Sequence, residues 1–302
     1  MTSFTRCRVG TATGLYDLGS AGDPAFSGET VRALSQYDGS WWALVGEGQV
    51  WRQTEGESWT KLSDPPNERA QCLLPDRGTT LVGSGDAHLY RLERDGLQLI
   101  EPFENAPSRE RWFTPWGGPP AVRSMTRTSD GTLFVNVHVG GILRSDDGDS
   151  NWEQIIEIQS DVHQVHYDER SGLLLAASAR GLAVSDDRGD SWEFHRDGLH
   201  GSYSRAVAVT TKFILASAST GAHTSRAALY RKPIRNNGPF ERCTQGLPEW
   251  FGDNINTSCL AAMGETVAFG TESGHVFVSE DHGTSWKTLT EELPPVRCLE
   301  LV

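Results

Sequence analysis

SDDGDSNW (Ser145–Trp152), SDDRGDSW (Ser185–Trp192) and SEDHGTSW (Ser279–Trp286) are three copies of one phrase. The last two fit S-x-D-x-G-x-S-W in full, and the first carries Asp149 at the glycine position. A worn copy, GESW (Gly56–Trp59), has lost its Ser and Asp. Each follows a short apolar run: GILR, GLAV, HVFV and QVWR. The phrase has a local physics. Its Asp carboxylate and Ser hydroxyl can accept backbone N–H groups inside a turn. Its glycine supplies a positive φ, and its Trp opens the next strand and packs on the hairpin. These residues are therefore structural rather than catalytic.

A phrase repeated at long intervals implies a repeated unit. Residues 162–195 read VHQVHYDERSGLLLAASARGLAVSDDRGDSWEFH and parse as four strands, QVHY, LLLAAS, GLAVS and WEFH, with turn residues between them. The same grammar recurs at 31–62, 70–100, 122–155, 205–243 and 257–289. Inner-strand anchors fall at positions 33, 72, 124, 164, 206, 259 and 298, spaced by 39, 52, 40, 42, 53 and 39 residues. That spacing suits four-stranded propeller blades with loop insertions. The last anchor, in VRCLELV, has no room for a blade after it, while TRCRVGTATGLYDL near the start lacks an inner strand. The two segments complete each other. The expected fold is all-β, a single seven-bladed β-propeller spanning 1–302. Its blades are 296–302 plus 4–28, 31–62, 70–100, 122–155, 162–195, 205–243 and 257–289. The C-terminal strand closes the N-terminal blade, which removes exposed sheet edges.

The eight-residue phrase closely resembles the Asp-box of BNR-repeat β-propellers. VGTATGLYDL, LFVNVHVGGILRSDDG, SASTG and GLPEWF extend the likeness to bacterial proteins described as WD40/YVTN/BNR-like or sialidase-like. The resemblance covers nearly the whole chain and implies a fold. It implies no uniform activity. In that family the boxes lie on the hairpin face opposite the active site.

Composition narrows the function. The net charge is −13, from 27 basic and 40 acidic residues. That opposes nucleic-acid binding, which depends on neutralising phosphates. No run of apolar residues is long enough to span a membrane, and the start, MTSFTRCRVGTATG, has no signal-peptide pattern. The five cysteines, Cys7, Cys72, Cys243, Cys259 and Cys298, are odd in number and form no C-x-x-C. Cys72, Cys259 and Cys298 share one repeat position and read as small buried residues of inner strands. The expected setting is a reducing cytoplasm.

Repeat topology also places a functional face. The connection between blades and the loop between second and third strands share one end of each blade. The residues that open the inner strands there are Arg32, Gln71, Arg123, His163, Arg205, Ser258 and Arg297. Four arginines and a histidine at one mouth suit an anion, since guanidinium groups grip carboxylate or phosphate in bidentate fashion. Asn136 and His138 join from one loop, and Asp161, His200, Tyr203, Trp250 and Asp253 from the connections. Aromatics such as Trp112, Phe113, Trp116 and Phe251 stand on the same connections, either as packing or as walls of a site.

The expected ligand-binding set is therefore Arg32, Arg123, Arg205, Arg297, Gln71, Asn136, His200, Trp250 and Asp253. His138, His163, Tyr203 and Asp161 are the candidates for acid–base work. No cofactor is required by any motif. A divalent metal, if one is bound, would fall to His138, His163 and His200. A sialidase needs an arginine triad beginning in an R-I-P motif, a Tyr–Glu pair, an Asp acid and six blades. The chain has no R-I-P motif, no assignable acidic partner and seven repeats, which argues against that activity. It also lacks a G-x-S-x-G elbow, a P-loop and a dinucleotide glycine pattern. Two readings remain. The first is a funnel that binds, and as a hydrolase or lyase transforms, a small anionic or carbohydrate-like ligand. The second is a non-enzymatic scaffold whose loops dock a protein partner.

Overall fold

The computed structural model describes residues 6–20, 22–76, 78–235 and 238–302. Seven antiparallel sheets account for nearly all regular structure. β1 (Cys7–Thr11) and β2 (Gly14–Leu18) belong to one sheet. β3 (Val31–Tyr37), β4 (Ser40–Val45), β5 (Gln49–Thr54) and β6 (Thr60–Ser63) form the next. β7 (Ala70–Asp76), β8 (Thr79–Ser84), β9 (Leu89–Glu93) and β10 (Gly96–Leu99) follow. Then come β11 (Ala121–Arg127), β12 (Leu133–His138), β13 (Gly141–Ser145) and β14 (Glu153–Gln154). The next sheet holds β15 (Val162–Asp168), β16 (Leu173–Ser178), β17 (Gly181–Ser185) and β18 (Glu193–His195). After it lie β19 (Val207–Val209), β20 (Phe213–Ser219), β21 (Ala227–Pro233) and β22 (Glu241–Arg242). The last complete sheet holds β23 (Leu260–Met263), β24 (Thr266–Gly270), β25 (Val276–Ser279) and β26 (Lys287–Thr290).

The final strand, β27 (Val296–Leu301), returns to β1, with Val9 opposite Leu299 and Gly10 opposite Cys298. The N-terminal sheet thus takes its inner strand from the other end of the sequence. Its ladder has three strands. The outer position is filled by a single bridge, Leu15 to Ala25, hydrogen-bonded in both directions at 2.8 and 3.0 Å. The fold is the all-β, seven-bladed propeller expected from the repeats. The chain divides into two compact units. One comprises residues 1–31, 177–183 and 194–302, and the other residues 32–176 and 184–193.

The three phrases form the same turn. Ser145, Ser185 and Ser279 each donate to an Asp two residues on and accept the N–H of the residue four on, at 2.7–2.9 Å for the accepted bond. Asp147, Asp187 and Asp281 in turn accept backbone N–H groups further along the turn. The left-handed position is Asp149 (φ 86°) in the first copy and Gly283 (φ 80°) in the last. Trp152 and Trp286 are buried, and their indole N–H groups bond Asp149 O and Gly283 O. Each stands edge-on to a buried phenylalanine, Phe103 at 4.9 Å and Phe269 at 5.0 Å. Trp192 differs. It is half-buried, and its N–H reaches out of its own turn to Ile155 O.

The shared cysteine position is a packing device. Cys72 and Cys298 are buried, and their thiols donate to Val122 O (3.5 Å) and Val31 O (3.7 Å). Val31 opens β3 and Val122 is the second residue of β11, the inner strands of the following blades. Gly83 lies opposite Cys72, and a Cβ on it would come within 2.3 Å of Val122 and 2.8 Å of the Cys72 sulfur. Burial pushes the Cys72 thiol up to about 12, which keeps it an inert thiol.

Candidate functional site

In the unit of residues 32–176, three side chains from one end of two adjacent sheets meet. His138 is the last residue of β12. Asp161 follows a short 3-10 turn, Ile158–Ser160, and directly precedes β15. His163 is the second residue of β15. His138 Nε2 lies 3.0 Å from Asp161 Oδ1, and His163 Nε2 lies 3.7 Å from Asp161 Oδ2. The two imidazole rings are 5.4 Å apart. Both histidines are buried, His163 completely, and Asp161 is half-buried.

The electrostatics of the carboxylate are clear in direction. Burial opposes its ionisation. The hydrogen bond with His138 and the charges of His163, His138 and Arg123 outweigh that cost and hold the Asp161 carboxyl below its ordinary value. The backbone is strained on both sides of the contact. Asp161 has φ 48°, and Val139, next to His138, has φ 56°, a costly setting for a β-branched residue. Asn136 lies two residues before His138 on the same face of β12. It is fully buried, and neither its amide nitrogen nor its oxygen has a hydrogen-bond partner among the described residues. Trp116 is 63% exposed, and its ring stands 5.2 Å from that of His138.

Two of the arginines expected to open the inner strands, Arg32 and Arg297, are held by nearby carboxylates. Arg32 donates to Gly46 O at 2.7 Å and reaches Glu47 at 3.5 Å. Glu47 is shared with Arg69, whose hydrogen bond is the main reason its carboxyl stays below the ordinary range. Arg297 donates to both oxygens of Glu272, at 2.8 and 2.6 Å. Arg205 is different. Its guanidinium bonds Asn256 Oδ1 (2.7 Å), Ala222 O (3.3 Å) and Tyr203 OH (3.4 Å), all neutral, and it sits 5.3 Å over the Tyr203 ring. Its buried Nε has no partner among the described residues. Arg123 contributes charge at Asp161. Three of these opening residues, Gln71, Arg123 and Arg297, occupy β-bulges, where the register skips from 70 to 72, 122 to 124 and 298 to 296. A bulge re-aims the extra side chain. Arg205 sits where Ser217 Oγ takes the N–H groups of both Arg205 and Ala206, so β19 begins only at Val207.

His200 is not in the histidine cluster. Its Nδ1 bonds Tyr230 OH at 2.7 Å and its Nε2 bonds Arg226 O at 2.9 Å, so both nitrogens are occupied. The Trp250 ring lies 4.6 Å from that of His200 and within 4.5 Å of the guanidinium of Arg226 and 3.8 Å of that of Arg242. Asp253 is exposed. The aromatic connection before β11 divides. Trp112 is buried against Phe103, whereas Phe113 and Trp116 are 57% and 63% exposed. Sequence reading missed a cleft of about 260 Å³ between β4–β5 and β7–β8, lined by Trp42, Arg52, Asp76 and Leu92. Arg52 stacks on Trp42 there at 5.2 Å, and nothing in the repeat pattern points to it.

No protein-family model matches the chain, and no curated protein is similar to it. Solved structures do match, and they show a β-propeller. A YCF48 structure bound to a D1 peptide superposes with a TM-score of 0.61 at 14% identity, covering 95% of this chain and 86% of the other. The WD40 propeller domain of Doa1 gives 0.62 at 14% identity, covering 93% and 85%. A GH74 enzyme of Niastella koreensis gives 0.63 at 13% identity, but 93% of this chain spans only 46% of that one. Among the described residues, no helix is long and apolar enough to cross a membrane.

Proposed function

We propose that this propeller binds a small carboxylate-bearing ligand, a sugar acid or similar anion, with Arg205 as its anchor. The observation that carries the reading is the state of that guanidinium. Arg32 and Arg297 are neutralised by Glu47 and Glu272, while Arg205 is bound only to neutral acceptors among the described residues. A fixed charge of this kind, beside a tyrosine ring, fits a planar anion that accepts two N–H groups. We read the three Ser-x-Asp turns as Asp-boxes and the setting as cytoplasmic, on the turn geometry and the cysteine usage respectively.

A thermal-shift screen of the purified protein with glucuronate, citrate and phosphate tests this. At least one should raise the melting temperature of the wild type. Arg205→Gln should abolish that rise, and Arg205→Lys should restore part of it. Equal stabilisation of wild type and Arg205→Gln overturns the reading. Docking of a protein segment is the second reading, favoured by the exposed pair Phe113 and Trp116. It predicts that peptides selected on the wild type lose binding to a Phe113→Ser, Trp116→Ser double variant.

A further inference from the structure

We propose that His138, Asp161 and His163 hold a divalent first-row transition-metal ion through two imidazole Nε2 atoms and one carboxylate. The inference goes beyond the anion reading and rests on a different set of residues. The chemistry of the donors comes first. Neutral imidazole suits Zn, Fe, Co or Ni, and two histidines with one carboxylate leave further positions open for water or a ligand.

Geometry comes second. Metal–ligand bonds of about 2.0–2.1 Å put neighbouring ligand atoms roughly 3–3.5 Å apart. Here the two histidine–carboxylate distances are 3.0 and 3.7 Å, and the three donor atoms all lie within 4.8 Å of one another. The carboxylate offers a separate oxygen to each imidazole. Small movements would close the three donors on one ion.

The third observation is independent of the cluster's own contacts. Asn136 is fully buried on the same face of β12, with both amide atoms lacking a hydrogen-bond partner among the described residues. Burying an amide in that state leaves its desolvation uncompensated. A water on an open metal position supplies what such an amide needs, and residues around a metal commonly orient its ligands in this way. The exposed Trp116 ring stands 5.2 Å from that of the buried His138. The charge of Arg123, felt at Asp161, opposes a bare cation but favours one that carries an anionic ligand.

The test uses the full chain, freed of any affinity tag, stripped with a chelator and desalted. Titration with Co(II) and Zn(II) is followed by calorimetry and, for Co(II), by visible absorption. The expected result is one ion per chain, with a Co(II) spectrum of low-symmetry nitrogen and oxygen ligation. Asp161→Asn, which keeps the shape and tolerates the left-handed backbone, should weaken binding at least tenfold, as should His138→Gln. The exposed His223→Ala should bind as wild type. Circular dichroism confirms that each variant is folded. Absence of binding at millimolar metal overturns the proposal, as does unchanged affinity in folded Asp161→Asn. Either failure would leave the Arg205 thermal-shift result untouched, so the two readings stand or fall separately.

Discussion

Gly83 faces Cys72 across the first two strands of its blade, so close that any side chain there would run into Val122 of the next blade. The same arrangement links Gly10 to Cys298 and Val31, where a Cβ would lie 2.5 Å from the sulfur and 2.9 Å from the valine. Backbone of one blade, thiol of its inner strand and valine of the following one form a contact with no spare volume. Gly83→Ala should therefore cost about 1–3 kcal/mol, the usual penalty of overpacking. Urea unfolding measures it. A loss under 0.5 kcal/mol would mean that the contact can open without strain.

The box tryptophans should not be equivalent. Trp286 is 5% exposed and stands edge-on to Phe269, so Trp286→Ala should cost about 3–5 kcal/mol. Trp192 is half-buried, and Trp192→Ala should cost clearly less. Parallel denaturant curves decide the order, and equal losses would contradict it.

Ser279 is 1% exposed, and its hydroxyl both accepts the Gly283 N–H and donates to Asp281. Ser279→Ala leaves that N–H without its partner. The expected loss is about 1–2 kcal/mol, read from the melting temperature. Faster hydrogen exchange should be confined to the 280–286 turn.

Glu300 gives the molecule a pH response. Burial raises its carboxyl from 4.5 to about 7. The folded chain then holds a proton that the unfolded chain releases. Stability attributable to this group is full below about pH 4.5, falls as pH rises towards 7, and is level above that. Glu300→Gln should remove this slope and, at pH 8, stabilise the protein by on the order of 1–3 kcal/mol. Stability curves of the two proteins that stay parallel between pH 4.5 and 8 would refute the assignment.

The sheets were legible because a blade cannot bury its faces without the residues that repeat. Ser, Asp and Trp mark the turn, and a small residue marks the inner strand. The meeting of His138, Asp161 and His163 was also legible, since all three sit at the same end of neighbouring repeats. The fate of the arginines was not. Arg297 finds Glu272 25 residues earlier in the chain, and Arg32 finds a backbone carbonyl that no composition or spacing reveals. The contacts of His200 were not legible either. Its partners, Tyr230 OH and Arg226 O, are brought to it by the pairing of β20 with β21 and the bend of the connection, not by any local motif.

Val9 pairs with Leu299, 290 positions later. During synthesis β1 and β2 therefore emerge long before the strand that completes them. They must stay unsatisfied, or be shielded, until the ribosome has delivered the rest. A chain cut short before β27 would present an open edge and invite association with its neighbours, so termination before that strand should show up as insolubility rather than as a shorter working protein.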